Sequence, residues 1–60
     1  MNNNEETFFR NLYEFGYPKT KNKYEKINLT KAFQRRFRQS LINGKIDQEC
    51  LLISKKLIKS

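Results

Sequence analysis

The side chains best suited to recognise a polar or anionic ligand lie together in one short segment, Gln34 to Arg38. Guanidinium groups bind carboxylates through paired hydrogen bonds, and a glutamine amide can both donate and accept. At 100° per residue, the helical wheel places Phe33 and Phe37 on one apolar side of this segment. Gln34, Arg35 and Arg38 are predicted to face the other way, where they would meet such a ligand.

Groups that could perform catalysis are scarce in this sequence. There is no His, a single Cys and only six carboxylates, so imidazole ligands for a zinc centre are missing and Cys50 alone cannot build a metal site. Four of the carboxylates stand at predicted helix starts, where they favour the positive end of the helix dipole. These four are Glu5, Glu6, Asp47 and Glu49. We therefore predict a non-enzymatic chain that requires no cofactor and no metal.

The first element that would position these residues is a helix after a polar leader of residues 1–5. An asparagine of the leader can cap this helix. Its apolar face is predicted from Phe8, Leu12 and Phe15, which are spaced i, i+4 and i+7. Gly16 is expected to end the helix in a backbone conformation with positive φ.

A second helix, reached through a polar connection, is predicted to begin after Asn28 as its cap and to run to about Gln39. It carries the candidate recognition residues on one side and phenylalanines on the other. Arg36 falls inside the apolar arc, so its guanidinium is expected to reach water or to pair with Glu14 or Asp47.

A tight turn and a third helix complete the predicted fold. Asn43 and Gly44 tolerate the positive φ that a chain reversal requires, and Asp47 follows where a helix N-cap is needed. The wheel places Leu52 on the outer face, where we predict it to be exposed and central to any protein contact of this helix. The buried positions are predicted to be Cys50, Ile53 and Leu57. We thus expect a compact, all-α three-helix bundle over residues 6–60.

Four motifs carry a family resemblance, and they occur in a compatible order and spacing between about residues 8 and 58. They are Gly16-Tyr17-Pro18, Ala32-Phe33-Gln34-Arg35-Arg36-Phe37-Arg38, Asn43-Gly44 and Asp47-Gln48-Glu49-Cys50. This pattern resembles the C-terminal peptidoglycan-binding domain of bacterial zinc-dependent N-acetylmuramoyl-L-alanine amidases. Cys50 stands where that family usually has Thr.

The resemblance implies a non-catalytic module that anchors an amidase-type hydrolase to peptidoglycan, its polymer. The implied partners are peptidoglycan and a catalytic amidase domain in the same chain or another. In a shallow groove beside the second helix, an aromatic ring can stack on a sugar and an amide can bond an N-acetyl group. The candidate ligand-binding residues are Tyr17, Gln34, Arg35, Arg38 and Asn43.

The compartment implied by the resemblance is the cell envelope or periplasm. The chain shows no secretory signal pattern, which leaves a cytoplasmic location open. It also has no run of about 18 apolar residues that could span a membrane.

The net charge of +7 favours an anionic partner but does not identify it. A polymer with peptide carboxylates and a nucleic acid would both be attracted by the same field. Three helices and a turn containing Gly also fit a small DNA-binding module, although the third helix begins with Glu49 where a DNA reader would have Arg or Asn. A protein-interaction remnant without affinity for the wall is the other alternative.

Overall fold

Three α-helices build the fold in the computed structural model, which describes residues 4–59. They are α1 Asn4–Phe15, α2 Lys23–Phe37 and α3 Gln48–Lys59. Helix α1 packs along α3, and no strand occurs in the described part of the chain. The Cα radius of gyration is 10.5 Å, about the value of a compact chain of this length. The predicted all-α three-helix bundle is confirmed.

Helix α2 begins earlier than predicted, at Lys23. Its N-cap is Asn22, whose side-chain oxygen accepts a hydrogen bond from the Glu25 amide at 2.9 Å. The Glu25 carboxylate accepts from the amide of Lys21, the residue before the cap, at 2.8 Å, so the arrangement resembles a capping box shifted by one residue. The prediction of Asn28 as the cap is wrong because Asn22 and Glu25 stabilise an earlier helix start. The helix also ends at Phe37, two residues before the predicted end.

Helix α1 also begins slightly earlier than predicted. Asn4, which was assigned to the leader, already belongs to α1, and Glu5 lies in its first turn at the predicted helix start. The remaining asparagines proposed as caps, at positions 2 and 3, lie outside the described residues.

The two glycines adopt the backbone conformations predicted for them. Gly16 has φ +129° and Gly44 has φ +73°. At the end of α1, the Tyr17 amide donates to the Leu12 carbonyl at 2.9 Å, and the Gly16 amide donates to the Tyr13 carbonyl at 3.2 Å. These two bonds form the Schellman arrangement, which satisfies carbonyl groups that the helix end would otherwise leave unpaired.

The core lies where the faces of all three helices meet. Its centre is an edge-to-face pair of Phe8 and Phe33, with ring centroids 5.0 Å apart. Phe15 was predicted to join this core and does not, since 43% of its surface is exposed at the last residue of α1. The buried apolar residues are Phe8, Phe9, Leu12, Leu29, Phe33, Cys50 and Leu51, with Phe37, Ile53 and Leu57 packed against them.

Candidate functional site

Gln34 is fully buried, so the prediction that it faces outward is wrong. Its Nε2 donates to the Asn43 side-chain oxygen at 3.1 Å and to the Lys45 carbonyl at 2.9 Å. Its Oε1 accepts from the backbone amides of Asn43 at 3.0 Å and Gly44 at 2.9 Å. Both ends of the amide are therefore engaged by the turn that follows α2, and Gln34 fixes that turn against the helix.

Arg38 is likewise turned inward, and only 7% of its surface is exposed. Its Nη1 forms ion pairs with Asp47 and with Glu49, the latter at 3.3 Å, and its Nη2 donates to the Leu41 carbonyl at 2.9 Å. The hydrogen bond to Asp47 raises the pKa of Arg38 above its ordinary value, against the opposing effect of burial. The predicted outward orientation of Arg38 is wrong because the chain between α2 and α3 covers this side of α2.

Asp47 joins the turn to α3, and its predicted role as N-cap is confirmed. Its Oδ1 accepts from the Cys50 amide at 3.0 Å, while its Oδ2 binds the guanidinium of Arg38. Arg38 is the main reason that the pKa of Asp47 is lowered from 3.8 to about 2. Arg36, whose guanidinium was predicted to reach water or to pair with Glu14 or Asp47, lies exposed with its guanidinium carbon 5.4 Å from the Phe37 ring centre, so the first of these alternatives holds.

We expect the free energy of unfolding to fall in the acid pH range as Asp47 loses its charge. Because its pKa is lower in the folded chain, the stabilisation is present above about pH 4 and is lost as the pH falls through about 2. Asp47→Asn keeps an oxygen for the Cys50 amide but replaces the oxygen that binds Arg38 by an NH2 group, so it removes the ion pair and keeps the cap. Thermal unfolding of both proteins, followed by circular dichroism from pH 2 to 7, should show the stability difference shrinking towards pH 2. A difference that stays constant over this range would contradict the assignment.

The other candidate residues do not converge on one point. Asn43 is exposed, but its side-chain oxygen accepts from Gln34 and from the Lys45 amide at 2.9 Å, which stabilises the turn. Tyr17 is half-buried beyond α1, with its ring 6.2 Å from that of Phe15. Arg35 is exposed on α2, as predicted. The five candidates thus divide into a turn-holding group and two residues that lie apart from it.

A groove of about 740 Å³ opens between the start of α1, the first turns of α2 and residues 44–48. Its apolar lining comes from Phe9, Ile27 and Ile46. Three lysines contribute positive charge to the lining, and they are Lys23, Lys26 and Lys45. One wall is the turn that Gln34 holds in place. Two carboxylates also line the groove, Glu5 and Asp47, and the second of these is paired with Arg38. The groove therefore combines an apolar surface with an excess of ammonium groups, which suits a ligand bearing carboxylates beside small aliphatic groups.

Lys23 and Lys26 were missed from the sequence because residues 19–26 were interpreted as a polar connection. The spacing of Asn22 and Glu25 is the pattern of a capping box and was the available signal. A helix beginning there places Lys23 and Lys26 three residues apart on neighbouring turns. Lys45 carried no local signal, since its position depends on the turn folding back over α2.

Lys26 also lines a second depression of about 520 Å³, which shares Glu5 and Phe9 with the groove. Its ammonium nitrogen lies 5.6 Å from the centre of the Phe9 ring, a cation–π distance. Because Lys26 has this packing role, Lys23 and Lys45 are the cleaner positions at which to test charge in the groove.

Within residues 4–59, no three His, Cys, Asp or Glu side chains come together as a candidate metal site. None of the described helices has the length and apolar character needed to cross a membrane. No protein-family model, curated protein or solved structure matches the chain.

Proposed function

We propose that this chain is a non-catalytic peptidoglycan-binding module that serves an N-acetylmuramoyl-L-alanine amidase-type hydrolase, in the same chain or another. The observation that carries the proposal is the lysine-lined groove, because one of its walls is built by the motif residues of the family resemblance. Gln34, Asn43 and Gly44 are joined there by hydrogen bonds, and Asp47 lines the groove beside them.

The chemistry of the groove supports a peptide-bearing wall polymer as its ligand. Stem peptides offer free carboxylates for Lys23 and Lys45, and alanine methyl groups for the apolar surface of Phe9 and Ile46. Contacts between exposed ammonium groups and carboxylates contribute little individually, about 1 kcal/mol or less each. A single site should therefore bind weakly, and retention on the wall would come from many repeated sites along the polymer.

Gln34 and Arg38 have an indirect role in this proposal. Gln34 holds residues 43–45 against α2, and Arg38 ties α2 to Leu41 and to the first turn of α3. They position the groove wall without being free to touch a ligand. The lysines of the groove would contact the ligand directly instead. Arg35, which is exposed on the outer side of α2, would make a further contact with the polymer.

The test compares two double variants that change the net charge equally. Lys23→Gln with Lys45→Gln removes charge from the groove, whereas Lys55→Gln with Lys56→Gln removes it from α3, where neither lysine lines the groove. Cosedimentation with purified insoluble peptidoglycan should show the first variant retained about tenfold less well than wild type. The second should sediment like wild type, and circular dichroism should show both folded.

Equal loss of retention in both variants would contradict a groove site, because it would show attraction by total charge alone. A DNA gel shift at the same salt concentration tests the main alternative. A chain that shifts DNA but does not sediment with peptidoglycan would be a DNA-binding module. A chain that does neither would favour the protein-interaction alternative.

A further inference from the structure

Four aliphatic side chains of the described residues are exposed outside the groove: Leu41, Ile42, Leu52 and Ile58. Leu52 has 55% of its surface exposed, which confirms the exposure predicted from the helical wheel. Single exposed aliphatic side chains are ordinary, but several in one region of a small domain leave an apolar surface in water.

The ion-pair cluster around Arg38 brings Leu41, with its neighbour Ile42, to the same region as Leu52. One guanidinium binds both the Leu41 carbonyl and the Glu49 carboxylate, so the loop after α2 is fastened to the first turn of α3. Leu52 follows Glu49 by one helical turn on α3. We name the surface formed by Leu41, Ile42 and Leu52 the Leu52 patch.

The charge beside the Leu52 patch is mainly positive. Lys55, Lys56 and Lys59 are all exposed and lie three, four and seven residues after Leu52, on the same side of α3. Asp47 and Glu49 share the single guanidinium of Arg38, so that cluster carries one net negative charge against these three lysines. A second copy of the chain would bring its own surplus of seven positive charges to this surface and be repelled.

We propose that the Leu52 patch is a docking site for an acidic segment of a partner protein, one that presents aliphatic side chains flanked by Asp or Glu. Apolar centres with a charged rim are the common anatomy of protein interfaces, and opposite charge selects the partner. None of the three patch residues lines the lysine groove, so peptidoglycan binding and partner docking are separable.

The test uses a synthetic acidic peptide of about 14 residues, four helical turns, with Leu along one face and Glu elsewhere. Titrated into the isotope-labelled 60-residue chain, it should shift the amide resonances of Leu41, Ile42 and Leu52. Leu52→Ser should weaken binding about tenfold, as truncation of a central interface residue does. Its exposure makes unfolding of this variant unexpected, and circular dichroism checks that. Lys55→Gln with Lys56→Gln should also weaken binding, while Lys23→Gln with Lys45→Gln should bind the peptide like wild type.

Several results would overturn the proposal. A peptide with Ser in place of Leu that binds equally well would show attraction by charge alone, and no binding up to about 1 mM would exclude this class of partner. Shifts at the patch caused by phosphatidylglycerol vesicles but not by the peptide would assign it to a membrane surface. Dimers that form on concentration and disappear in Leu52→Ser would assign it to a second copy. Retention on peptidoglycan should not change in Leu52→Ser, so failure here is distinguishable from failure of the groove proposal.

Discussion

Replacing Phe33 by alanine should destabilise the fold by about 3 to 5 kcal/mol, the usual cost of removing a buried phenylalanine ring. Phe33 is fully buried and contacts two other rings, with centroids 5.0 Å from Phe8 and 5.1 Å from Phe37. A chain of 60 residues has about 3 to 9 kcal/mol of stability in total. Urea unfolding followed by circular dichroism should therefore find the variant largely unfolded or close to it.

Phe15→Ala provides the matched control, because it removes the same ring from an exposed position. The Phe15 ring still lies 6.2 Å from those of Tyr17 and Phe37, so we expect a loss of about 1 kcal/mol or less. The sequence pattern alone placed both phenylalanines in the core. Equal destabilisation by the two substitutions would support that pattern against the structure.

Local physical rules predicted much of the fold correctly. The existence of three helices follows from apolar residues repeating at helical spacing, and Phe8, Leu12, Phe33 and Cys50 are buried as that spacing indicates. The positive φ of Gly16 is also a local property, since it depends on the residues on either side of it. Features decided within one turn of the chain could therefore be read from the sequence.

The start of α2 shows where local rules became ambiguous. Asn22 and Asn28 are both competent N-caps, and the choice depends on a second partner, Glu25. Phe15 shows a related limit, because periodicity defines a face of α1 but does not say where along the helix that face leaves the bundle.

The candidate site was less predictable because it depends on contacts between distant parts of the chain. A helical wheel treats the side opposite the phenylalanines as solvent, so Gln34 and Arg38 were placed there. The turn and the start of α3 in fact cover this side and present carbonyls, amides and carboxylates to both residues. The residues that cover this face lie nine to eleven positions further along the chain. A helical wheel shows only the helix itself, so it cannot represent this burial.

Gln34 gives the sharpest test of this arrangement. Gln34→Leu keeps a side chain of similar size, so the core stays filled while the hydrogen bonds are lost. The amides of Asn43 and Gly44 lose their acceptor, and the Lys45 carbonyl loses its donor. Each buried group left unpaired costs about 1 to 3 kcal/mol, although the turn can recover part of this by moving into water.

We therefore expect Gln34→Leu to reduce the free energy of unfolding by about 2 to 4 kcal/mol and to release the turn from α2. Hydrogen exchange should show the Gly44 amide losing protection well before the amides of α1. Gln39→Leu, at an exposed position just after α2, is the matched control and should change stability by about 0.5 kcal/mol or less. Gln34→Glu separates the two halves of the amide, because a carboxylate can still accept from Asn43 and Gly44 but cannot donate to Lys45. At neutral pH it also places a charge in a fully buried site, so its stability should be no higher than that of Gln34→Leu and should recover as acid protonates the carboxyl group. A Leu variant with wild-type stability and a protected Gly44 amide would show that the turn holds itself, and that Gln34 does not build the groove wall.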